Sequence, residues 1–138
     1  MKKQAKGYRL IFGYLGIFLI LIGIITMLPL ILLTFYPGES NCWLSFFIPG
    51  MSSIGLGFLL FLLIYKRERT QLEKFQDSAL LVMIWLSAIL IGSVPFMLRG
   101  YTTPDFAKYR MNFSDAVFES TSGYTSTGLT VFNFDMSY

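Results

Sequence analysis

The chain has 138 residues, of which 54% are hydrophobic and only 14% charged, with eleven basic residues against eight acidic ones for a formal charge of +3. It contains no histidine and one cysteine, which excludes an intrachain disulfide, and it has no phosphate-binding glycine-rich loop with a lysine, so enzymatic chemistry has no foothold. The charges cluster between long apolar runs, which excludes a soluble helical domain with a polar stripe on each helix and marks an integral membrane protein.

The first charge-free run covers residues 10–38 and is preceded by Lys2, Lys3, Lys6 and Arg9. It is longer than the roughly 20 apolar residues that a spanning helix requires. Its segment 17–25 is apolar on every face, and no small-residue cleavage site follows, so it reads as a retained span. Pro29 lacks a backbone donor and predicts a bend within the span. The connection 34–42 carries no basic residue, and Cys42 in it is expected to be structural.

The second run, 41–65, contains Pro49 and a strip of small residues, Gly50, Ser53 and Gly57, on which another helix can pack closely. Tyr8, Tyr36, Trp43 and Tyr65 fall at predicted span ends and read as interfacial anchors. A charged connection, 66–77, follows with Lys66, Arg67, Arg69 and Lys74. The third run, 78–98, contains Pro95 and ends at Arg99. Basic residues thus flank the first span's start and the second-to-third connection, which predicts a cytoplasmic N-terminus and accounts for the net charge without nucleic acid. Arg99, Lys108 and Arg110 on the outer side reduce that asymmetry without reversing it.

Beyond the third span, Asn112 or Ser114 can cap a helix with Asp115 in its first turn, and Gly123 suits the residue that ends it. The predicted helix, 114–122, is about 13 Å long and reaches only to mid-membrane from the outer side. Its partially negative C-terminus would favour a cation there. Thr125, Ser126, Thr127 and Gly128 follow, small residues whose carbonyls and hydroxyls can replace the water shell of a monovalent cation. The extended segment 125–129 would then climb back toward the outer side. Irregular backbone at that depth must be buried in protein or line a water-filled path. Glu119 is a carboxylate that costs about 3 kcal/mol at the centre of a membrane helix. It reads as a brace accepting hydrogen bonds behind the loop, or else as a group hydrated at the outer vestibule. Asp115 and Asp135 read as residues of the outer mouth that concentrate cations.

Phe118, Glu119, Ser122, Gly123, Tyr124, Thr125, Thr127 and Gly128 match the first pore loop of the TrkH-type potassium transporters, the wider family of KtrB and the plant HKT proteins. Ser126 stands where that pattern usually has threonine, which keeps a hydroxyl. The motif Ile91-Gly92-Ser93-Val94-Pro95-Phe96 and the later Ser114-Asp115-Ala116-Val117-Phe118-Glu119 resemble the same family in wording and spacing. The resemblance implies an all-α membrane fold: three transmembrane helices, a re-entrant pore helix and a filter loop, within a four-repeat architecture. Residues 1–69 correspond to two leading helices and 70–138 to the first pore unit up to its filter.

It further implies K⁺, or Na⁺, as the transported ion held by Thr125 to Gly128, a cytosolic nucleotide-binding regulatory subunit as partner, a homodimer of the full-length protein, and the bacterial inner membrane as location. No organic cofactor is expected. The inner helix that should follow the filter is not reached by Tyr138, so a fragment that does not conduct alone is expected. The competing expectation is a small three-helix membrane protein that binds or regulates another complex without carrying ions.

Overall fold

A computed structural model describes residues 4–35, 42–62, 74–102 and 111–131, with side chains for 10–35, 42–62, 75–99 and 111–131. The elements are α1 (Gln4–Met27), α2 (Pro29–Leu33), α3 (Trp43–Leu62), α4 (Lys74–Thr102) and α5 (Phe113–Tyr124). No strand occurs among the described residues. Three helical stretches are long and apolar enough to cross a membrane: Leu10–Leu33, Trp43–Leu62 and Phe75–Arg99. They coincide with the three predicted spans, and the fold is that of an all-α integral membrane chain. Tyr36, Tyr65, Lys2, Lys3, Lys108, Arg110, Asp135 and the boundary between residues 69 and 70 lie outside the described residues.

The first span breaks once, at Leu28, where Pro29 withholds its donor. The chain passes the break on tighter bonds, Leu28 N to the Ile25 carbonyl at 3.1 Å and Ile31 N to the Leu28 carbonyl at 3.0 Å. Pro49 and Pro95, in contrast, lie inside continuous helices.

Burial is inverted relative to a water-soluble bundle. Large apolar side chains such as Leu21, Ile24, Phe58, Leu59 and Leu86 are exposed, whereas the buried polar residues are the small Ser45, Ser53, Ser93, Ser120 and Ser122. In lipid the outward apolar surface costs nothing, and helices associate through close packing and interhelical hydrogen bonds. The apolar centre is correspondingly small: Ile11, Leu15 and Leu19 repeat every four residues along one face of α1 and meet Leu80 of α4.

The packing strip expected on α3 finds its partner within the chain. A Cβ on Gly57 would lie 2.6 Å from the Gly16 carbonyl, and one on Gly16 would lie 2.6 Å from the Gly57 carbonyl. Seven residues further along each helix, Gly23 faces Gly50, where a Cβ on Gly23 would come within 2.7 Å of the Gly50 carbonyl. Sequence numbers rise on one helix as they fall on the other, so α1 and α3 are antiparallel. Between the glycine pairs, Ser53 Oγ donates to the Leu19 carbonyl at 2.7 Å.

Candidate functional site

Helix α5 is placed by α4. Ser120 Oγ donates to the Ile89 carbonyl at 2.8 Å, and Gly92 leaves the room for this contact, since a Cβ there would lie 2.8 Å from Ser120 Oγ and 2.9 Å from Tyr124 Cε2. Tyr124 meets Trp85 edge-on with ring centroids 6.5 Å apart, and Ala116 is fully buried. Ile89 lies near the middle of the span Phe75–Arg99, so the second half of α5 sits at mid-span depth. Gly92 belongs to the quoted Ile-Gly-Ser-Val-Pro-Phe run, and its physical reason is this close approach.

The helix begins and ends differently from the sequence-based expectation. Asn112 occupies the cap position, but its side chain makes no capping bond; the first turn closes through Ala116 N to the Asn112 carbonyl at 3.0 Å. At the other end Gly123 does not terminate the helix. It is helical, a Cβ there would meet nothing within 4 Å, and the helix continues to Tyr124. The left-handed residue is Ser126, at φ +56°. Ser126 N donates to the Gly123 carbonyl at 3.2 Å and Thr127 N to the Ser122 carbonyl at 3.1 Å. These are the paired bonds of a Schellman cap, with serine in the position that glycine usually takes.

This cap fixes the direction of the loop carbonyls. Among the described residues no peptide bond is cis, so each carbonyl points opposite to the N–H that shares its plane. The N–H groups of Ser126 and Thr127 point at the end of α5. The carbonyls of Thr125 and Ser126 therefore point away from it. The hydroxyls turn the other way: Thr125 Oγ1 donates to the Thr121 carbonyl at 2.7 Å, and Thr127 Oγ1 lies 3.1 Å from Ser122 Oγ. Among the described residues, no hydrogen bond reaches the carbonyls of Thr125, Ser126, Thr127 or Gly128. All four residues are exposed, and Gly128 is again left-handed at φ +68°.

The chain then runs back along α5. Ser122 Oγ donates to the Leu129 carbonyl at 2.6 Å, and Glu119 Oε1 accepts from Thr130 Oγ1 at 2.7 Å and from Val131 N at 2.5 Å. The carboxylate thus receives the backbone and hydroxyl donors that the brace reading of Glu119 requires. The expected bare negative helix end is modified, because the carbonyls of Thr121, Ser122 and Gly123 are taken by the chain's own donors. Acceptor capacity passes instead to the loop carbonyls beyond the cap.

Helix α5 also borders a mostly apolar cavity of about 490 Å³, bounded by Ile25, Leu33, Phe46, Phe96, Arg99 and Glu119 among others. Cys42, buried, lines it as well. Asp115 is partly buried in the first turn of α5. No group of three or more histidine, cysteine, aspartate or glutamate side chains converges among the described residues.

Sequence reasoning missed the rungs that involve Ser122, Leu129, Thr130 and Val131. The hydroxyls were visible, but which of them faces inward depends on the left-handed turn at Ser126.

No family model matches the chain, and no solved structure matches it. Among curated proteins, an uncharacterized cation transporter of Methanocaldococcus jannaschii is 33% identical over 132 residues, covering 94% of this chain and 24% of that protein. The Trk system potassium uptake protein TrkH of Halomonas elongata is 32% identical over 123 residues, covering 89% of this chain and 23% of that protein. The chain is thus similar, over most of its length, to about a quarter of two proteins named for cation transport.

Proposed function

We propose that this chain forms part of a potassium-uptake protein and that Thr125, Ser126, Thr127 and Gly128 contribute one quarter of its cation filter. The observation that carries the reading is the cap at Ser126. It sends the N–H groups of Ser126 and Thr127 into α5 and turns the carbonyls of Thr125 and Ser126 outward, unclaimed by any donor among the described residues. Oxygens in that state are what a dehydrated monovalent cation needs. The similarity to the two transport proteins supports the same reading.

On this reading the N-terminus is cytoplasmic and α5 enters from the outer side as a re-entrant helix. Asp115 stands in the outer mouth, and the filter is completed by three further loops of the same kind. K⁺ is the cargo, and a cytosolic nucleotide-binding subunit and a second copy of the whole protein are its partners. The test is growth of a potassium-starved bacterial strain supplied with the complete protein that contains this chain. Growth should be restored, and Gly128→Asp should abolish the rescue while leaving the protein in the membrane. Undiminished growth of the variant would remove the loop from the transport path.

A further inference from the structure

We infer that Glu119 is a positioning residue that sets the direction of the second half of the loop, the carbonyls of Thr127 and Gly128; the inference rests on the filter reading. The two halves of the loop are held by different means. The carbonyls of Thr125 and Ser126 are oriented by the N–H groups in their own peptide planes, both bonded to α5. The carbonyls of Thr127 and Gly128 share planes with the N–H groups of Gly128 and Leu129, and neither donates a hydrogen bond among the described residues. Gly128 is moreover at φ +68°, where glycine is free to move between conformations.

What holds these planes is the far end of the loop. Two anchors stand there: Ser122 Oγ on the Leu129 carbonyl at 2.6 Å, and Glu119 Oε1 on Thr130 Oγ1 at 2.7 Å and Val131 N at 2.5 Å. Ser122 is shared, because Thr127 Oγ1 also lies 3.1 Å from its hydroxyl, so it couples loop to loop as much as loop to helix. Glu119 is the anchor that grips the backbone through a charged acceptor, and hydrogen bonds to an ionised group are about twice as strong as neutral ones. One oxygen takes both donors, so a single substitution releases the hydroxyl and the amide together.

The test compares Glu119→Ala with Glu119→Gln in the complete protein, measuring K⁺ uptake against Na⁺ competition alongside amide exchange at Val131. Gln keeps a side-chain oxygen that can accept both bonds; Ala keeps none. Glu119→Ala is expected to lower discrimination of K⁺ over Na⁺ about tenfold, the scale of one charged hydrogen bond, and to abolish protection of the Val131 amide. Glu119→Gln, whose neutral oxygen makes weaker bonds, is expected to retain more of both than Glu119→Ala, at equal amounts of folded protein. Unchanged discrimination in Glu119→Ala overturns the inference, as does equal damage in the two variants, which would show that the bonds that Gln can still accept do not hold the loop. If the parent protein takes up no cation, the filter reading fails, and with it the claim on selectivity. The Val131 amide still reports on the anchor: protection that survives Glu119→Ala would overturn the positioning role by itself.

Discussion

The α1–α3 and α4–α5 interfaces use the same two devices with different tolerance. In each, a serine hydroxyl donates to a carbonyl of the neighbouring helix, Ser53 to Leu19 at 2.7 Å and Ser120 to Ile89 at 2.8 Å. In each, glycine permits close approach. Between α1 and α3, however, glycines face each other in pairs and the limiting atoms include backbone, whereas at Gly92 they are the side-chain atoms of Ser120 and Tyr124. Backbone cannot step aside, but side chains can rotate. The first interface is therefore a fixed frame, and the second is an adjustable seat for the helix that carries the loop.

The most damaging way to probe this difference is Gly57→Leu, which drives a side chain into the Gly16 carbonyl. We expect a loss of about 3 kcal/mol, read as a collapse of the unfolding midpoint in detergent. A midpoint equal to the parent's would mean that the helices are not in backbone contact. Within the seat, Ser126→Val places a β-branched residue at positive φ and should cost about 1–2 kcal/mol, with Ser126→Gly shifting the midpoint the opposite way. If both variants lower it alike, the left-handed cap is absent.

Gly92→Ala should cost about 1 kcal/mol, because the overpacked partners can give, and much of that should return in the Tyr124→Leu background. Failure of the second change to compensate would make the seat as rigid as the frame. Gly123→Ala should raise stability by about 0.5–1 kcal/mol, since the position is helical with open space around it. A destabilised Gly123→Ala would restore glycine to the capping role that the sequence pattern suggests. Smallest of all, Ser53→Ala and Ser120→Ala should each cost about 0.6 kcal/mol, the average for hydrogen bonds between membrane helices. Equal values would show that the frame's advantage lies in its glycines alone.

The spans were legible because membrane burial demands long uninterrupted apolar runs, and the structure follows them to within a few residues. The strip of Gly50, Ser53 and Gly57 was legible as a packing face, but its partner was not. Pairing with Gly16 and Gly23 depends on the register between two helices, which no local pattern specifies. At the candidate site, the short helix and the loop could be placed from hydroxyl and glycine content. Its cap could not be, because propensity favours glycine in the left-handed position and two glycines stood nearby. Tertiary packing decided otherwise: α5 extends past Gly123, which lets Tyr124 reach Trp85 and Gly92, and the turn falls on Ser126.

The hydrogen bonds described above for the loop lie close along the chain. The longest spans 12 residues, from Glu119 to Val131, whereas the Ser53 bond that joins α3 to α1 spans 34. Closing a loop of about ten residues takes on the order of 10–100 ns, so the turn can assemble as soon as α5 has formed. The bonds of the loop are local, whereas the place of its turn is set by the packing of Tyr124 against Trp85 and Gly92. Such a segment can be moved between membrane scaffolds together with the α4 surface that seats Ser120 and Tyr124, and not without it.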